Sequence, residues 1–244
     1  MLILETVSPL AAGEAGFPRR QGRPYLPGGA LREAFLTAAL AYAIRRDAAF
    51  AAEMRRLVEH GFRGDAGGLA AAMEEALLRR QPELDALEFA DVELEGVRPE
   101  TVAVFDRRRG EVTGSLELET FGATAALAAG LPPELETWLS AAARSYAEAL
   151  ATAEREALSG SLPRSQPFYQ KLKSRVLKQA AWPLRAGYWT PDPQGGRFLA
   201  LARLESAVGA LRKRFDAAPL PRRILYSPRA EASLGWLVLR KENG

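Results

Sequence analysis

The 244 residues are 48% hydrophobic and 26% charged with a net charge of +3, the balance of an ordinary globular chain long enough to build a core as one large domain or two small ones. Zero cysteines exclude disulfides, thiolate metal sites and thiolate nucleophiles, and the single histidine, His60, argues against a conventional zinc site or a Ser-His-Asp triad. No apolar run approaches the roughly 20 residues of a membrane span and residues 1–5 carry no basic leader, so no membrane is expected as a partner and the cytoplasm is the expected location.

Residues 2–7 form an apolar run closed by Ser8-Pro9, an opening strand. Residues 10–24, rich in Gly, Ala, Arg and Pro, predict a polar loop. Pro24 and Pro27 fix their own φ and push the residues before them outward, so 23–26 reads as a short strand or extended arm. Gly28 and Gly29 permit a sharp turn. Leu31, Phe35, Ala38, Ala39 and Tyr42 then recur at helical spacing, predicting a helix from Ala30 to about Arg46. Strand, glycine turn and helix start make a place for an anion: Gly28 and Gly29 offer backbone donors, Arg19, Arg20 and Arg23 supply loop charge, and Arg32 stands on the first turn. A phosphate backbone is the ligand this suits. Pro-Gly-Gly before a helix also serves as plain punctuation.

Asp47 is placed to cap a second helix through about Leu57, and residues 61–68 break the chain before a third over 69–80. Residues 87–95 alternate in part as a half-buried strand. Residues 101–105 and 112–121 flank the turn Asp106-Arg107-Arg108-Arg109-Gly110, a hairpin whose three tip arginines are either solvated or in touch with a phosphate. Pro132-Pro133 opens an alanine-rich helix through Trp138, Tyr146 and Leu150 to about Leu158.

The charge balance changes after residue 159. Residues 160–244 hold 16 Lys/Arg and 5 Asp/Glu, a net +11, while the remaining 17 basic and 25 acidic residues give −8. Such a split suits a polyanion surface in the C-terminal third, or simply a solvated one. Over 168–180, Lys171, Arg175 and Lys178 share one helix face beside Tyr169 and Lys173, a stripe that fits an RNA backbone better than a membrane, since no aromatic belt accompanies it. A solvent-facing helix has the same pattern. The loop from Pro183 through Arg185, Gly187, Tyr188 and Trp189 to Pro191, Pro193, Gly195, Gly196 and Arg197 interleaves glycines, aromatics and cations. Tyr188 and Trp189 offer stacking platforms there, with Arg185 and Arg197 as phosphate partners, or the aromatics anchor the loop to the core. Strand candidates at 222–226 and 234–239 close an α+β pattern with an antiparallel sheet.

Ser8-Pro9-Leu10 after the opening strand and Tyr25-Leu26-Pro27-Gly28-Gly29-Ala30-Leu31-Arg32-Glu33-Ala34 resemble the RAMP superfamily of CRISPR effector subunits, whose members commonly read "YIPGSSLKGALR" here. This chain has Gly-Gly where the family has Gly-Ser-Ser or Gly-Thr-Ser, and Glu33 where it has glycine. Phe89-Ala90-Asp91 is similar to the "SD" strand, Leu184-Arg185-Ala186-Gly187-Tyr188-Trp189 to the "LRLGWG" loop, and Leu234-Gly235-Trp236 to the "PLGW" ending of the Csm-type subunit at the crRNA 3′ end of type III complexes.

The resemblance implies one RAMP-like domain over 1–244, with a ferredoxin-like (RRM-like) antiparallel sheet core, a helical and hairpin insertion over about 47–158 and a basic part over about 160–244. It implies crRNA as ligand, other effector subunits including a neighbouring backbone subunit as partners, and no cofactor. It further implies a non-catalytic role in capping the crRNA 3′ end, maturation and assembly in antiviral defence. The related backbone subunit cleaves target RNA with an aspartate in the loop after its first strand, whereas residues 11–23 hold Glu14 and no aspartate. Two other readings stand beside this one. A crRNA-processing endoribonuclease would act through His60, or through Lys171 and Tyr169; a scaffold without RNA contact would be held through its acidic half. Position before Gly61 at a helix end explains His60 as a cap.

Overall fold

The computed structural model describes residues 1–179, 182–192 and 195–242; Pro193 and the last residue of the helix expected over 168–180 lie outside the described residues. Strand β1 (Leu2–Thr6) leads to a hairpin of β2 (Arg19–Arg20) and β3 (Arg23–Leu26), turned by Gln21 and Gly22 at positive φ. Helix α1 (Gly28–Arg46) buries Leu31, Phe35, Ala38 and Ala39, the face its spacing predicts, and its alanines let neighbours close in on the other sides too. Asp47 accepts from the N–H groups of Ala49 and Phe50 and so caps α2 (Ala48–Arg56), which runs on into a π-helical turn, Leu57–Gly61. Asp65 caps α3 (Ala66–Arg80), which therefore starts ahead of the predicted residue 69 in spite of its glycines.

Residues 87–95 do not form one strand. Asp91 turns away to the α1 start, leaving β4 (Glu88–Phe89) and β5 (Val92–Glu93) in separate sheets. The hairpin of β6 (Arg98–Asp106) and β7 (Glu111–Thr120) matches expectation, and β8 (Thr124–Leu127) and β9 (Ala129–Gly130) follow it. Helix α4 (Pro133–Leu158) opens at its two prolines. After it come α5 (Gln166–Lys171), a π-helical turn Leu172–Val176 and α6 (Leu177–Gln179). Next are β10 (Trp182–Arg185), α7 (Glu205–Phe215), β11 (Arg223–Ser227), β12 (Ala232–Ser233) and β13 (Trp236–Lys241). The loop expected from Pro183 is thus partly strand, because residues 182–185 are buried on both faces and need ladder partners for their backbone.

The architecture is α+β with antiparallel sheets. One sheet has the order β10-β13-β1-β8, another β12-β11-β6-β7, and small ladders join β2-β3-β5 and β4-β9. In the first sheet Leu4 lies opposite Leu239 on one side and Ala125 on the other. Helices α1 and α4 pack on each other and on β10. The stretch over 47–158 read as an insertion therefore includes β8 and α4, elements of this central layer. One apolar cluster reaches from Leu2 to Leu239, and each fully buried leucine in it contributes about 1.5–3 kcal/mol.

Candidate nucleic-acid interface

The glycine turn is set by contact rather than by an open anion cradle. A Cβ on Gly28 would stand 1.8 Å from the Phe89 carbonyl oxygen, so the backbone of 89–91 crosses here only because residue 28 is glycine. That crossing delivers Asp91. Its Oδ1 accepts from the Gly28 N–H at 3.1 Å and its Oδ2 from Arg20 at 2.8 Å, so the donor assigned to a phosphate holds a carboxylate of the same chain. Gly29 is exposed with open space around its Cα.

The predicted arginines of this edge are all paired: Arg19 with Glu119, Arg20 with Asp91, Arg23 with Glu93 and Arg32 with Asp85. Arg20 and Arg23 remain 70% and 75% exposed, and exposed pairs of this kind are worth only about 0–1 kcal/mol. Their guanidinium groups are therefore exchangeable onto a phosphate at small cost. Gly28, Gly29, Arg32, Asp85 and Phe89 line a cleft of about 640 Å³ beside them.

The aromatic loop is different. The Arg185 side chain is 1% exposed, its Nη2 lies 3.0 Å from Glu154 Oε1, and its Nη1 donates to Glu154 Oε2 at 3.1 Å and to Ser233 at 3.0 Å. Trp189 and Trp236 cover its guanidinium, with ring centres 4.5 and 4.8 Å away. Arg185 as a phosphate partner and Trp189 as a base platform do not fit this burial: each residue is 5% exposed, and the Arg185 guanidinium is taken up by Glu154, Ser233 and the two indole rings. Arg197 is held by Glu33 and Glu74, each at 3.0 Å, with a side chain 15% exposed, so it also serves the fold. Tyr188 is half-buried and donates to Glu14 at 2.6 Å; burial first, and then the Glu14 carboxylate, push its hydroxyl up to about 12. Gly187 has φ 73° and lies where a Cβ would meet the Ala11 carbonyl at 2.3 Å, fixing this loop to the one after β1.

Lys171, Arg175 and Lys178 are exposed, and among the described residues none of the three forms an ion pair. Of the predicted set, Lys171 and Arg175 stand free for an anionic partner. Tyr169 on the same segment points inward, fully buried, with its hydroxyl on Glu154 at 2.9 Å, so the paired Lys171–Tyr169 reading fails on geometry. His60 lies in the first π-helical turn, 84% exposed, with Glu59 3.9 Å away.

Sequence reasoning missed a second basic concavity. Arg212, Arg222 and Arg223 join Arg107 and Arg108 around a cleft of about 710 Å³. The hairpin arginines Arg107 and Arg108 and the adjacent Arg222-Arg223 pair are its signals in the sequence; the approach of α7 to the hairpin tip is not visible there. Among the described residues no helix is long and apolar enough to cross a membrane, and no group of three or more His, Cys, Asp or Glu is placed to hold a metal ion.

No family model matches the chain. An uncharacterized protein of Aquifex aeolicus (strain VF5) is 26% identical over 239 residues, 96% of this chain and 97% of its own length. A chain of the cryo-EM structure of a Csm-crRNA-target RNA ternary complex of a type III-A CRISPR-Cas system superposes with a TM-score of 0.63 at 18% identity, covering 92% of this chain and 74% of that one. The fold is that of a Csm subunit. Csm5 of T. onnurineus, in a crystal structure, gives 0.55 at 19% identity over 91% of this chain and 73% of its own. This Csm-type fold spans both the paired arginine edge around Gly28 and the unpaired lysine and arginine stripe near residue 171.

Proposed function

We propose that this chain is a non-catalytic RNA-binding subunit of a type III CRISPR effector complex, gripping crRNA at its 3′ end and docking on a neighbouring backbone subunit. The observation that carries the reading is the Csm-type fold over nine-tenths of the chain. A ferredoxin-like core is supported by the succession β1-α1-β4-β8-α4-β13, in which β8 lies beside β1, β13 flanks β1 on its other side, and β4 pairs with the β9 continuation of β8. RNA contact is supported by the exposed, unpaired Lys171, Arg175 and Lys178 and by the weakly paired Arg20 and Arg23. The non-catalytic reading is favoured by the surroundings of the base candidates. His60 is 84% exposed with the Glu59 carboxylate 3.9 Å away, and Tyr169 is sealed in the core.

The test is binding of the purified chain to a labelled single-stranded RNA of about 40 nucleotides at two salt concentrations, with the RNA recovered and sized. Affinity that falls with salt, by a slope of about −0.7 per phosphate neutralised, and intact RNA are expected. Cleaved product abolished by His60→Ala overturns the non-catalytic reading. Absence of RNA binding, both alone and in the reconstituted complex, overturns the RNA reading altogether.

A further inference from the structure

The cleft of about 710 Å³ is built from elements other than the glycine turn: the β6–β7 turn, the start of β11, the C-terminal end of α7, and Asp192. Five arginines and three aspartates line it, a surplus of two positive charges. Each aspartate is matched to one arginine. Asp106 accepts from Arg222 at 2.8 and 2.9 Å, Asp192 accepts from the Arg223 side chain at 3.0 Å, and Asp216 accepts from Arg108.

The surplus therefore has two addresses, Arg107 and Arg212. Arg107 spends one nitrogen, Nη1, on the carbonyls of Leu220 and Pro221 at 2.9 and 3.0 Å, and its Nε is buried with no partner. Its other terminal nitrogen, Nη2, has no hydrogen bond among the described residues, which leaves it available to an oxygen acceptor. Arg212 is exposed and, among the described residues, has neither a carboxylate nor a carbonyl partner. Its neighbour Arg214 shows what a structural arginine on this helix does, donating to the Val58 and Phe62 carbonyls. The Arg223 pair uses only Nε, which leaves its two terminal nitrogens unspent on Asp192. Phe215 and Ala217 supply an apolar wall, where charge interactions are strengthened.

We propose that this cleft binds a phosphate group, carried either by an RNA backbone or by a free polyphosphate compound, with Arg107, Arg212 and Arg223 as its donors. Three fork-shaped guanidinium groups and a net positive lining match an anion with several oxygens better than a single carboxylate. In its RNA form the assignment rests on the function proposed above; in its small-molecule form it does not.

Two titrations of the full chain separate these cases. Inorganic tripolyphosphate is followed by calorimetry, and labelled single-stranded RNA by anisotropy across a salt series. Arg212→Ser leaves every observed bond intact, and Arg223→Gln keeps an amide donor for Asp192, so both variants are expected to fold. Each should weaken tripolyphosphate about tenfold, and the double variant should abolish it, with Arg55→Ser, an exposed arginine on α2 away from the cleft lining, as an unaffected control. If the phosphates belong to RNA, the same variants also weaken RNA and reduce the salt slope by about one per arginine. Loss of tripolyphosphate with RNA affinity unchanged supports the cleft as a site for a small phosphate compound. Tripolyphosphate bound by a wild-type chain that takes no RNA, and lost in the variants, sinks the RNA reading and leaves the cleft standing. Equal tripolyphosphate binding by wild type and double variant, or none by either, overturns the proposal.

Discussion

The carboxylate of Asp91 accepts a hydrogen bond from the Gly28 N–H at 3.1 Å, across a sequence separation of 63 residues. The start of α1 is thereby satisfied from within, and the second Asp91 oxygen restrains Arg20. Asp91→Ala is expected to lower stability by about 0.5–2 kcal/mol, the range for losing a helix-start acceptor. It should also tighten RNA binding, because a negative charge leaves and Arg20 is released. Urea denaturation and a salt-series binding assay check the two effects, and unchanged RNA affinity would place the RNA away from this edge.

Gly28 and Gly29 should respond in opposite directions. At Gly28 an added methyl collides with the Phe89 carbonyl, whereas at Gly29 it meets nothing within 4 Å. Gly29→Ala is expected to stabilise by about 0.5–1 kcal/mol through helix propensity, and Gly28→Ala to destabilise by more than that. Thermal unfolding of the two variants decides it.

The Glu154–Arg185 pair is buried on both sides, and Glu154 also accepts from Tyr169, Ser233 and Trp236. Breaking it from one side leaves a charge without its partner. Arg185→Met alone is expected to cost about 3–5 kcal/mol, while Arg185→Met with Glu154→Leu should recover a good part of that loss. A double-mutant cycle by denaturation measures the coupling. A single variant within about 0.5 kcal/mol of wild type would show that the pair contributes little.

Acid should weaken the fold through Asp106. The hydrogen bond from Arg222 comes first, and with the N–H groups of Arg108 and Arg109 it holds the Asp106 carboxyl below its ordinary value of 3.8, against the opposing effect of burial. A carboxyl depressed in the folded state stabilises it fully above the unfolded value. That contribution is lost as pH falls from about 3.8 through the folded value. Stability measured from pH 6 down to pH 2 should decline over that acid window, and Asp106→Asn should flatten part of the decline.

Much of the fold was legible because its signals are local. Asp47 caps α2, Pro132-Pro133 opens α4, and the run Asp106-Arg107-Arg108-Arg109-Gly110 turns the hairpin, each within a few residues of what it controls. The sites were harder, because charge is visible in a sequence and its neutralisation is not. Arg197 reads as a free cation until Glu74, 123 residues earlier, is found beside it. Arg185 reads as a loop cation until α4 brings Glu154 against it. The strand β10 escaped notice for a related reason: four residues buried on both faces show no alternation, and a proline sits among them. Lys171 and Arg175 are exposed and, among the described residues, form no ion pair, and no acidic residue stands between Glu156 and Asp192 in the chain.

The central sheet pairs Leu2 with Lys241 and Thr6 with Leu237, strands from opposite extremes of the chain. During synthesis β1 emerges long before the strand that will cover that side of it, since ribosomes add only about 5–20 residues per second. For that interval β1 carries an open row of N–H and C=O groups, the kind of edge that other chains recruit. Completion of the sheet is thus a late, non-local event, of the class that slows folding and rewards a chaperone or a waiting assembly partner.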